Sequence, residues 1–179
     1  SISGEKHKLE KLLPIAAKYG AMFIILPLSD NKLPETANER IEIIKTVYNA
    51  AQKYGFTNDD IIVDGLVMTV SVNQNAAIET LKVIEWCVEN LHCNALVGLS
   101  NISFGLPTRN LINSAFLVMA ANRGLTMAIA NPGDELLMSL KAAADVLMKK
   151  DKNCARFTAR FADKNKSSIT TGADAQPQF

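Results

Sequence analysis

The chain has 179 residues, 48% of them hydrophobic and 21% charged, which suits one soluble domain with a substantial core. Its 19 Lys and Arg nearly cancel 18 Asp and Glu, so no excess of basic residues offers a nucleic-acid face. No apolar run reaches the ~18 residues of a membrane span and no secretory signal is visible, so the expected location is the cytoplasm.

Residues 5–19 have helical periodicity, with Leu9, Leu12, Leu13, Ala16 and Ala17 on one face and Gly20 as a stop. Pro14 lies inside this helix and is expected to kink or break it. The run Ala21 to Leu26 is apolar on both faces, as strands of covered parallel sheets are. Pro34 and Glu35 open a second helix, with Ile41, Ile44, Val47, Tyr48 and Ala51 inward and Gly55 at its end. Ile61 to Val63 is the next strand, and 75–91 the next helix, with Ala77, Leu81, Ile84 and Val88 inward. Ala95 to Leu99 is a strand, and 108–123 a helix stopped by Gly124. Met127 to Ile129 is a short strand, and 134–149 the helix after it. Strands alternating with helices imply βαβ crossovers and a parallel sheet. Residues 151–161 are expected to hold one more short helix. The domain is placed at 1–161 and a polar tail or linker at 162–179.

Cys87, Cys93 and Cys154 are odd in number and lack a CxxC spacing, so they read as reduced thiols. His7 and His92 have no second ligand at a usable spacing, and no metal site is expected.

In a parallel βα protein, chemistry gathers at the C-terminal ends of the strands. The first strand delivers Ser29 and Asp30 there, the second Asp64, and the fourth Asn131. The third delivers Ser100, Asn101 and Ser103, with Arg109 at the start of the following helix. Asp64 follows three β-branched residues, so its carboxylate either orders the next loop or accepts hydrogen bonds from a ligand. Asn101 and Ser103 either satisfy a tight turn or face a ligand. An amide both donates and accepts, which suits a heterocycle nitrogen that changes protonation during reaction.

The stretch Gly98 to Pro107, followed by Arg109, Asn113, Phe116-Leu117 and Gly124-Leu125, resembles the pterin-binding module of cobalamin-dependent methionine synthase. It is also similar to the methyltetrahydrofolate:corrinoid/iron–sulfur protein methyltransferases. Further matches are Ser1 to Glu5, Leu12-Leu13-Pro14, Tyr19-Gly20, Pro34 with Arg40, and Ile62 to Leu66. The resemblance runs from residue 1 to about 161 and implies part of a (β/α)8 barrel of the dihydropteroate-synthase-like type. It implies methyltetrahydrofolate as methyl donor and cobalamin or a corrinoid, held by another domain or protein, as acceptor. It implies that Asp64 binds the pterin ring and that Asn101 lies beside N5. Ser100, Ser103 and Arg109 would line the same rim, with Asn101 as the catalytic group. Gly65 departs from the Pro common after the aspartate and is expected to leave that loop mobile.

A dihydropteroate-synthase-like condensing enzyme would want Arg followed by His at the last strand end, and Met127 to Pro132 has neither. The other alternative is a truncated, non-catalytic pterin-binding or assembly piece. A full barrel takes about 250 residues, and four strand–helix units are legible here. The opening Ser1 to Gly4 looks like the exit from a fourth barrel strand, so the expectation is the second half of a barrel. Such a half would present an open sheet edge and need the upstream half as partner.

Overall fold

The computed structural model describes residues 1–30 and 32–168. Five strands form one parallel sheet: β1 (Ile2–Ser3), β2 (Phe23–Leu26), β3 (Ile61–Asp64), β4 (Asn94–Gly98) and β5 (Met127–Ile129). The helices are α1 (Lys6–Lys18), α2 (Ala37–Gln52), α3 (Ala76–Trp86), α4 (Arg109–Asn122), α5 (Glu135–Leu147) and α6 (Ala155–Ser168). Strand order in space is β1-β2-β3-β4-β5, the order in the chain, and every pairing is parallel. This is the wall of a partial (β/α)8 barrel, and among the described residues it is not closed.

The strands alternate between two environments. Phe23, Ile25, Ile61 and Val63 are buried in one cluster with Leu13 of α1 and with Ile41, Ile44 and Val47 of α2. Val97 packs with Leu81 and Ile84 of α3 and with Phe116, Leu117 and Ala120 of α4. The alternate residues Ile24, Leu26, Ile62 and Asp64 are half-buried on the opposite, barrel-interior face. Register places Asp64 beside Leu96, and Leu96 beside Met127, on that face.

Three details differ from the sequence expectation. The sheet has a fifth strand, because Ile2 and Ser3 pair with Ile25 and Leu26. Two residues carry too little pattern to be read as a strand, although the opening was recognised as a strand exit. Pro14 does not break α1, which runs unbroken from Lys6 to Lys18 around the fully buried Leu13. The helix expected over 75–91 is α3 followed by a wide π-helical turn, Cys87–Leu91, that ends on His92 in the left-handed region.

Helix α2 begins with a capping box: Thr36 Oγ1 accepts from Glu39 N, and Glu39 Oε2 accepts from Thr36 N. Helix α4 ends at Gly124, whose φ of +93° favours glycine and whose added Cβ would lie 3.2 Å from Val88. Helix α6 begins before the boundary placed at 161/162 and continues past it; tail residues 169–179 lie outside the described residues.

Candidate functional site

Asp64 is the last residue of β3, on the interior face and half-buried. Its Oδ1 accepts from Leu66 N at 2.9 Å. Burial pushes its carboxyl above the ordinary aspartate pKa, and the Leu66 bond partly opposes that. Leu66 has φ of +53°, a left-handed conformation that costs a residue with a Cβ about 1–2 kcal/mol.

The turn after Asp64 is pinned, contrary to the mobility expected of Gly65. Gly65 N donates to Leu96 O at 2.8 Å, a bond that proline could not make. Gly65 O accepts from Arg40 Nη1 at 3.3 Å. A Cβ at this position would lie 3.1 Å from Thr80 Cγ2 and 3.3 Å from Val97 Cγ1, so glycine also fits where a larger residue would crowd.

The third strand end folds differently. After Gly98 the chain enters a 3-10 turn, Leu99–Ser103, with Leu99 and Ile102 buried beneath it. That leaves Ser100 and Asn101 exposed on top. The Asn101 side chain makes no hydrogen bond among the described residues. Its Nδ2 lies 3.4 Å from where a Cβ on Gly98 would stand. The amide is therefore free to donate and accept outward.

Ser103 stands beneath the rim that it was expected to line. It is fully buried, and its hydroxyl donates to Asn113 Oδ1 at 2.8 Å. Arg109 holds this turn from the side: Nε donates to Ser103 Oγ at 3.0 Å and Nη2 to Ser100 O at 2.6 Å. The guanidinium also lies 6.0 Å from the centre of the Phe104 ring. Ser103 and Arg109 thus hold the shape of the turn that presents Asn101.

The loops bearing Asp64 and Asn101 are stitched into one unit. Val70 N donates to Ile102 O at 3.0 Å. Thr69 Oγ1 and Ser71 Oγ both donate to Phe104 O, at 2.6 and 2.9 Å. Residues on two strands, far apart in the chain, therefore share one rigid rim.

Other polar groups are not brought to this rim. Asn131 is exposed and its Oδ1 accepts from Gly133 N within its own turn. Glu5, His7 and Asp30 place ligand atoms within 4.8 Å of one another, a grouping that spacing in the chain does not reveal. We assign no metal to it, because Lys8 already neutralises Glu5. A separate cavity of about 510 Å³ lies between α4, β5 and α5, lined by Leu117, Leu125, Met127, Ala128 and Leu137. It borders the open edge of the sheet, not Asp64 or Asn101.

The sequence model described as "Pterin binding enzyme" matches residues 1–131. The chain is 30% identical over 166 residues to a methylcorrinoid:tetrahydrofolate methyltransferase of Eubacterium limosum, covering 90% of this chain and 60% of that protein. It is 29% identical over 144 residues to a methionine synthase of Mycobacterium tuberculosis, covering 76% of this chain and 12% of that protein. The chain thus spans less than two thirds of the length of both relatives. With a family match over most of its length, on a partial parallel barrel with a polar rim at its strand ends, the chain belongs to the pterin binding enzyme family.

Proposed function

We propose that this chain binds methyltetrahydrofolate at the rim formed by Asp64 and Asn101, as part of a methyltransferase that passes the N5 methyl group to a corrinoid. The observation that carries the reading is the free amide of Asn101, held on the same stitched rim as the half-buried Asp64 carboxylate. The names of the two relatives support the substrate class.

Asp64 accepts hydrogen bonds from N–H donors along the pterin edge and fixes the ring in its plane. A desolvated carboxylate makes such bonds count for more than it would in water. Asn101 donates to N5. The C–N bond to the methyl breaks with its electron pair staying on N5, so this hydrogen bond strengthens as charge develops. Asn101 does this without itself titrating. Ser100 shares the exposed turn, and Arg109 and Ser103 keep that turn in place. When bound by its own domain or protein, a reduced corrinoid supplies a nucleophilic cobalt. The buried free thiols, Cys87 and Cys93, suit a reducing cytoplasm.

Asn101→Ala tests this reading. Methyl transfer measured with saturating methyltetrahydrofolate should fall steeply, and unchanged turnover removes Asn101 from the mechanism.

A second reading, that this chain is a piece needing an upstream half-barrel before it acts, is favoured by the open edge. Ile129 of β5 is 65% exposed and the apolar groove beside it is unfilled by the described residues. Mixing the chain with a separately expressed upstream segment tests it: folate binding that appears only in the mixture supports this reading, and full binding by the chain alone rejects it.

A further inference from the structure

We infer that Arg40 is a positioning residue for the pterin site, clamping the turn after β3 in the conformation that aims Leu66 N–H at Asp64. The inference rests on the role given to Asp64 above.

Arg40 lies in the first turns of α2, outside the rim, and is fully buried. A cation is poorly placed there. The N-terminus of a helix disfavours positive charge, and among the described residues no carboxylate pairs with it directly. Burial pulls its pKa down, opposed by the fields of Glu79 and Glu39. A residue held against these three effects is doing something that an apolar side chain could not.

Its hydrogen bonds say what that is. A guanidinium has five N–H donors in a fixed fork, and five acceptors meet them. Nε donates to Pro34 O at 3.3 Å and Nη2 to Glu35 O at 3.2 Å, which ties the fork to the start of α2. Nη1 donates to Gly65 O at 3.3 Å and to Thr80 Oγ1 at 3.2 Å, and Nη2 to Met68 Sδ at 3.4 Å. Thr80 Oγ1 in turn donates to Leu66 O at 3.5 Å. Gly65 just before Leu66, Met68 two residues after it and the Leu66 carbonyl itself are therefore all tied to Arg40.

Leu66 is the residue that needs holding, because its left-handed conformation is strained for a leucine. Its N–H shares one planar peptide group with Gly65 O, so the Arg40 bond to that oxygen fixes the direction in which the N–H points, toward Asp64 Oδ1. Asp64 Oδ2 makes no hydrogen bond among the described residues and is left for the ligand. Lysine at position 40 would keep the charge but supply three donors from one atom, too few and too close together for these five acceptors.

The test uses the protein with Arg40→Lys, Asp64→Asn and the double variant. Methyltetrahydrofolate affinity is measured by titration calorimetry. Arg40→Lys should weaken binding about tenfold in the wild-type background and less than about twofold in the Asp64→Asn background. A purely structural Arg40 would cost the same factor in both backgrounds, and that result overturns the inference. So does unchanged affinity in a folded Arg40→Lys protein. If Arg40→Lys does not fold, Thr80→Val removes the hydroxyl that links the fork to Leu66. It should show a smaller loss with the same dependence on Asp64, and equal loss in both backgrounds again overturns the inference. Amide hydrogen exchange without ligand provides the second arm. Exchange at Gly65 and Leu66 should quicken about tenfold or more in Arg40→Lys, or in Thr80→Val, relative to Val97 in the same protein. If the unaltered protein binds no methyltetrahydrofolate, the functional reading falls and this arm alone decides the clamp: no local quickening overturns it.

Discussion

Strands β3 and β5 are built from similar residues and share one backbone geometry, yet they live in different solvents. On the barrel-interior face, Ile62 and Asp64 of β3 are half-buried, while Met127 and Ile129 of β5 are 37% and 65% exposed. The difference is neighbours. β3 has β2 on one side and β4 on the other, whereas β5 pairs only with β4 among the described residues. Apolar composition earns a strand its place in a sheet, but burial comes from what lies beside it. The polar chemistry divides the same way. The rim over β3 and β4 is cross-linked by hydrogen bonds between loops, while the turn after β5 is held by bonds within itself, from Gly133 N and Asp134 N to Asn131.

The contrast can be broken first at the level of stability. Ile44→Ala, behind the centre of the sheet, should cost about 2–5 kcal/mol in denaturant unfolding. Ile129→Ala should stay within about 0.5 kcal/mol. Equal costs would mean that β5 is covered in solution by something else. Next comes activity. Asn101→Ala should lower methyl transfer by about a hundredfold, and Asn131→Ala by less than about twofold; a large loss at Asn131 would move the reacting centre toward β5.

A third prediction concerns pH. Burial raises the folded pKa of Asp64 above its unfolded value. The stability tied to its protonated form is therefore complete below the ordinary aspartate range of about 3.9 and is lost as pH rises through the folded value. Asp64→Asn should thus hold or raise the melting temperature at pH 7 while weakening folate binding about tenfold. A lower melting temperature at pH 7 would show that the charged carboxylate stabilises the fold. The smallest effect belongs to the start of α2. Glu39 is held down to about 2 by the Thr36 backbone N–H and by Lys32. Its contribution is present above the ordinary glutamate range and fades as pH falls toward that value. Thr36→Ala should cost about 1 kcal/mol at neutral pH by denaturant unfolding, and no loss would mean that the Glu39 half of the box suffices.

Most of this architecture was legible because it rests on local pattern. Runs such as Phe23 to Leu26 and the spacing of Ile41, Ile44 and Val47 mark strands and helix faces directly. The positions of Asp64 and Asn101 at strand ends were legible because strand ends can be counted. What escaped depends on contacts that the chain order hides. Arg40 matched a family pattern, but its partners lie at 34, 35, 65, 68 and 80, and no spacing announces them. Ser103 was expected on the rim, yet it is drawn inward by Asn113 and Arg109. Gly65 suggested a loose loop, because glycine freedom belongs to the residue and its loss here belongs to Leu96 and Arg40.

The agreement between strand order in space and order in the chain also bears on how the molecule assembles. Each strand pairs with the one before it, so no pairing must wait for a distant segment, and loop-closure costs stay near their minimum for a parallel sheet. Units can be added from the amino end as they emerge from synthesis. Among the described residues β5 comes last, so at every stage of that growth the newest strand offers an unpaired edge.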